Sequence, residues 1–165
     1  MAKSKAVDKE TLLAGLKEVR RKILAEAAAL PVRSRDAVFL GTWSVKDMLA
    51  HLVGWDYTNL EAVKSVLAGR LPKFYASWDR DWAGYNASLV TKFKCEPYRK
   101  LLASAKESQR RLIDFLESVP PEAFGKDGGV RFRGIRVTIQ RLLEAEAGDE
   151  RVHYEQLLKF AGEIE

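Results

Sequence analysis

Four stretches of this chain carry apolar side chains at alternating intervals of three and four residues, the spacing that gathers them on one face of an α-helix. In the first, Leu12, Leu16, Val19, Ile23 and Ala27 form one stripe, in a helix expected from Lys9 to Leu30 and ended by Pro31. The second opens at Thr42-Trp43-Ser44, with Ser44 as N-cap and Asp47 completing a capping box. Its face continues through Met48, Leu52, Trp55 and Val63 to Leu67, and Gly69 and Pro72 close it. The third begins near Glu96-Pro97, carries Leu101, Ala105, Ser108, Leu112 and Phe115, and stops at Pro120-Pro121. Thr138 caps the fourth, which runs through Ile139, Leu142, Leu143, Val152, Leu157 and Phe160. A helix with one apolar face must bury it against another, and four such helices predict an all-α antiparallel four-helix bundle, one domain over residues 1–165.

Between the second and third helices, Lys73 to Lys94 is rich in aromatics (Phe74, Tyr75, Trp78, Trp82, Tyr85) and reads as a long crossover over one end of the bundle. Its second half, Asp81 to about Val90, has the pattern of a short extra helix. Val130-Arg131-Phe132-Arg133 alternates like a strand, but Gly134 interrupts it, so an irregular extended segment is expected there.

Composition narrows the setting. At 165 residues and 18.6 kDa the chain suits one domain with a continuous core. No apolar run approaches the ~20 residues that span a bilayer. Met1-Ala2-Lys3-Ser4-Lys5 leads into charged sequence with no apolar signal region. A lone Cys95 forms no internal disulfide, so cytoplasm is the expected compartment. Cys95 lies near Lys92 and Lys94 at a helix start, which favours thiolate, yet no histidine neighbours it in sequence and it reads as incidental. The net charge of +5 is dispersed. The best basic cluster, Arg131, Arg133, Arg136 and Arg141 around Phe132, offers an anion site without any recognisable nucleic-acid motif, and nucleic acid is not the expected partner. An apolar helix face left over from the bundle would make a homodimer.

Polar residues on the inward stripes mark chemistry, because burying them costs free energy unless something satisfies them. His51 lies three residues after Met48 and four before Trp55. On the fourth helix Glu146, Asp149 and His153 follow Leu142 at steps of four, three and four. Two imidazoles on facing helices with a carboxylate one turn away make a three-ligand metal site, His51, Asp149 and His153, with Glu146 as general base or supporting group. The same residues also fit a metal-free arrangement in which His51 hydrogen-bonds Glu146 or Asp149 across the bundle.

Trp43-Ser44-Val45-Lys46-Asp47-Met48-Leu49-Ala50-His51-Leu52 resembles the helix-two signature of the DinB-like bundle superfamily. Val53-Gly54-Trp55 and Tyr85-Asn86 are similar to its ClbS/DfsB branch. The resemblance implies a metal site with one histidine on helix two and a His-x-x-x-His pair on the last helix. His51 and His153 match it, and Asp149 stands where the remaining histidine would be. A divalent metal (zinc, nickel or iron) is the cofactor so implied. Relatives of this kind include thiol-dependent transferases, isomerases and a resistance protein that hydrolyses a genotoxin warhead.

Two functions follow from this reading. One is a metal-dependent hydrolase or transferase acting on a small molecule, sheltered by Trp55, Trp82, Tyr85 and Asn86. The alternative is a metal-free protein that binds or sequesters a small molecule, or confers resistance to it, in the ClbS/DfsB manner.

Overall fold

In the computed structural model, which describes residues 8–164, the four expected helices form and carry the molecule. They are α1 (Lys9–Ala29), α2 (Val45–Leu67), α5 (Tyr98–Ser118) and α7 (Ile139–Glu163). Side-chain caps start three of them. The Asp8 carboxylate accepts from the Thr11 amide, Ser44 and Asp47 complete a reciprocal capping box, and the Thr138 hydroxyl accepts from the Arg141 amide.

Cross-helix contacts set the directions. Lys9 donates to the Val119 carbonyl, Gln109 to the Leu16 carbonyl and Tyr98 to the Ala27 carbonyl, so α1 and α5 are antiparallel. Asn59 meets Glu146 and His51 meets His153, which makes α2 and α7 antiparallel as well. Lys46 pairs with Glu96 and Asp56 with Ser108, so α2 and α5 run the same way. That parallel pair requires a long crossover.

The crossover holds two helices, α3 (Tyr75–Arg80) and α4 (Trp82–Phe93), where sequence suggested one. Asp81 separates them and caps α4 by accepting from the Gly84 amide at 2.9 Å. α4 lies close on α2 at Gly54, where an added Cβ would fall 2.6 Å from the Leu89 Cβ.

Two short hairpins correct the expectation of irregular connections. β1 (Val38–Leu40) pairs with β2 (Trp43–Ser44) just before α2. After the single-turn helix α6 (Pro121–Phe124), β3 (Arg131–Phe132) pairs with β4 (Ile135–Arg136). Gly134 is part of the turn and not a break: Arg133 and Gly134 have φ of 50° and 77°, the left-handed pair that a two-residue hairpin loop needs. The hairpin carries Phe132 and three arginines, Arg131, Arg133 and Arg136.

The apolar core is split. One half centres on Leu12, Leu16, Val63, Leu116 and Leu143, the other on Ile23, Leu49, Leu101, Ala105 and Leu157. Between them every long helix contributes buried polar groups, with Arg20 from α1, Asp56 from α2, Ser108 from α5 and Glu150 from α7. Among the described residues, no helix is long and apolar enough to cross a membrane.

Candidate functional site

Where α2, α3, α4, α7 and the β3–β4 hairpin converge, they enclose a cavity of about 620 Å³. Its walls are Trp55, Phe74, Tyr75, Trp78, Trp82 and Phe132. These rings pack on one another as well as on the space: Trp78–Trp82 centroids lie 4.4 Å apart, Trp55–Trp82 5.3 Å and Tyr75–Phe132 4.5 Å. The Trp55 indole donates to the Asn86 Oδ1 at 2.9 Å, and the Asn86 amide donates to the Trp82 carbonyl at 3.1 Å. Asn86 thus fixes the Trp55 ring without lining the cavity. Tyr85 stacks on Trp82 at 5.7 Å and shares a 2.7 Å hydrogen bond with Thr58. It faces a separate groove of about 460 Å³ beside Gly54, Tyr57 and Phe93. Of the four residues expected to hold substrate, Trp55 and Trp82 line the cavity, while Tyr85 and Asn86 brace them.

Polar groups line the cavity too. Glu146, buried at 6% exposure, accepts from Asn59 Nδ2 at 2.9 Å, and both residues line the wall. Beyond it lies the buried layer of the bundle. The Arg20 guanidinium forms a two-bond fork with Asp56, at 2.8 and 3.0 Å, and another with Glu150, at 3.1 and 2.5 Å. It also donates to the Ala105 carbonyl, and Ser108 donates to Asp56 at 2.5 Å. Burial, with the charges of Glu150 and Asp56, pushes the Glu146 carboxyl well above the usual carboxylate range. Burial raises Glu150 as well, but the Arg20 charge and hydrogen bonds oppose it there. Glu146 has no such fork to a cation, and the Arg20 charge and the Asn59 hydrogen bond only partly offset its upward shift.

The histidines expected as ligands do meet: the rings of His51 and His153 lie 5.3 Å apart, nearly perpendicular. His51 is buried between Trp43, at 4.8 Å, and Trp55, at 6.3 Å, and its Nδ1 has no partner. It bonds neither Glu146 nor Asp149. Burial pushes its pKa from 6.5 down to about 3, with smaller contributions from the His153 and Arg20 charges. His153 is lowered too, mainly by burial, against the opposing effect of its 3.0 Å hydrogen bond to Gln156.

Asp149 departs from the expected inward stripe. It is exposed at the cavity edge, and the buried acid of that turn is Glu150. Among the described residues, the three potential ligand atoms lying within 4.8 Å of one another belong to Asp56, Glu146 and Glu150. His51, Asp149 and His153 are not drawn together in that way. The acidic trio has metal-ligand spacing, but Arg20 already engages two of its carboxylates with both forks. A divalent ion held by this trio would compete with that guanidinium for the same oxygens.

Sequence reasoning missed Arg20, Asp56, Asn59 and Glu150, and placed Ser108 on the inward stripe without giving it a role. The signal was available for Arg20, which follows Leu16 by four residues and precedes Ile23 by three. At the cavity rim stand Arg133, Arg136 and Arg141, three of the four arginines singled out from sequence.

The sequence profile of the DinB superfamily matches residues 15–157. No curated protein matches the chain by sequence. Solved structures share its fold at low identity. The colibactin self-resistance protein ClbS, solved in complex with a dsDNA, superposes with a TM-score of 0.72 at 17% identity, over 96% of this chain and 97% of that one. The sibling lethal factor precursor DfsB gives 0.75 at 14%, over 95% and 96%. An uncharacterised protein from Escherichia coli UTI89 gives 0.72 at 17%, over 94% of each.

Proposed function

The chain belongs to the DinB superfamily, and from that premise we propose that it is a metal-free small-molecule binding protein of the protective kind, holding an apolar compound in the aromatic cavity. A shared fold at this identity says nothing of function by itself, so the reading rests on the site. The observation that carries it is the cavity of about 620 Å³, lined by six aromatic residues and by a buried carboxyl whose pKa burial raises. Because Asn59 donates to Oε2 of Glu146, that oxygen acts as the carbonyl and Oε1 carries the proton. Glu146 then serves as a hydrogen-bond donor to an acceptor atom of the bound molecule. The self-resistance role in the ClbS name accords with capture of a harmful compound.

Titration with the neutral fluorophore N-phenyl-1-naphthylamine, read by energy transfer from tryptophan, tests the proposal. Saturable binding is expected, weakened about tenfold or more in Trp82→Ala. Absence of binding by the folded wild-type protein defeats it. Metal analysis of dialysed, untagged protein separates the metal-dependent reading: far less than one divalent ion per chain is expected, and a stoichiometric ion lost in His51→Ala would restore that reading.

A second reading, duplex DNA along the Arg131–Arg141 edge, draws on the dsDNA in the ClbS structure. It requires binding that weakens steeply with salt and with substitution of Arg136 and Arg141.

A further inference from the structure

We propose that the cavity's ligand carries an acidic group beside its apolar body, and that Arg136 and Arg141 at the rim bind that group. This inference rests on the small-molecule reading above and adds the chemical class of the ligand.

The four arginines of the hairpin region are not equivalent. Arg131 is held by a two-bond fork to Asp127, at 2.6 and 2.7 Å. Arg133 pairs with Asp79, and its guanidinium lies 5.2 Å over the Phe132 ring, so it serves as part of the wall. Arg136 and Arg141 both line the cavity, and among the described residues neither has a carboxylate within ion-pair distance. They are linked to each other, since the Arg141 guanidinium donates to the Arg136 carbonyl at 3.3 Å. The hairpin register sets Arg136 directly across from Arg131.

An unpaired arginine on open surface is ordinarily just solvated. These two differ in position, because both, though exposed, line the same cavity as the aromatic walls. A carboxylate, sulfonate or phosphate placed there, with its apolar body among the indoles, is partly shielded from water, which strengthens a charge-assisted hydrogen bond. Asp149, at the same cavity, stands against a second acidic group on the ligand. A cationic ligand, for which an indole cage alone would be suitable, meets the positive charges of Arg136 and Arg141 at the rim.

Two probes with the same ring system decide the matter: 8-anilinonaphthalene-1-sulfonate and the neutral N-phenyl-1-naphthylamine. At low ionic strength the sulfonate is expected to bind about tenfold more tightly. In the double variant Arg136→Gln/Arg141→Gln the sulfonate should lose its tenfold advantage over the neutral probe. Near-ultraviolet circular dichroism identical to wild type establishes that the variant is folded. Equal affinities in the wild type, or a double variant that binds the sulfonate as before, overturn the acid-binding inference and leave the small-molecule reading standing. If neither probe binds the folded wild type, both fall together.

Discussion

Glu146 shares its level of the bundle with Asp56, Glu150 and the single cation Arg20, and the proton it keeps has a measurable cost. Its folded pKa lies above the unfolded value of 4.5, so its contribution is present below that pH and is lost as pH rises through the folded pKa. Glu146→Gln keeps an acceptor for Asn59 and removes the ionisable group. It is expected to melt higher than wild type at neutral pH and to lose less stability between pH 4 and pH 8, as urea denaturation across that range would register. A variant less stable than wild type at pH 7.5 would contradict the assignment of the proton. His51 works in the opposite sense. Its folded pKa of about 3 lies below the ordinary 6.5, so both states are neutral above that pH, and on acidification the unfolded chain takes up a proton that the folded one refuses. Stability should therefore fall by about 3 kcal/mol between pH 7 and pH 4 on this account, and His51→Leu should flatten that limb of the curve. At this scale the sequence was only partly readable. On α7, the stripes through Asp149 and through Glu150 both satisfy helical spacing, and only the position of Arg20 on a different helix decides between them.

Helix α4 brings Trp82, its first residue, into the cavity wall, and its seat on α2 depends on one missing methyl group. Gly54 admits Leu89 at a distance that no Cβ would allow. Gly54→Ala should push α4 away, at about 1–3 kcal/mol in stability, and should weaken probe binding more than a comparable Gly→Ala change at Gly148, where nothing lies within 4 Å. Equal binding by the two variants would separate the α2–α4 contact from the cavity. Elements followed from sequence where a period and a cap agreed, as at Ser44-x-x-Asp47 and Thr138. They did not where local signals were too short. Arg133-Gly134 looked like an interruption because arginine seldom adopts positive φ, and α3 is a six-residue helix with no stripe to reveal it. The crossover aromatics were legible as a cluster, but which of them face the cavity depends on how α4 turns over α2.

The molecule as a whole is two apolar halves held in register by the charged layer between them. Such a layer adds little stability over a well-packed apolar one, but breaking it leaves charges stranded. Arg20→Met should cost about 3–5 kcal/mol, far more than a surface arginine such as Arg110, and guanidinium melts would show the difference. A loss under 1 kcal/mol would mean that the layer is hydrated or rearranged. The bundle itself was plain from the four stripes. Its charged layer was not, since arginine and aspartate on a helix are normally solvent-facing and a single chain gives no sign of partners 36 and 130 residues away.

The aromatic wall has an optical consequence. Three of the chain's four tryptophans, Trp55, Trp78 and Trp82, stand in a row with neighbouring ring centroids 5.3 and 4.4 Å apart. At such separations the transition dipoles of adjacent indoles couple, and the three absorb as one exciton rather than as independent chromophores. The resulting circular dichroism couplet is a property of their mutual angles. A guest that wedges between two of the rings would change its amplitude, so the protein carries an unlabelled gauge of its own occupancy.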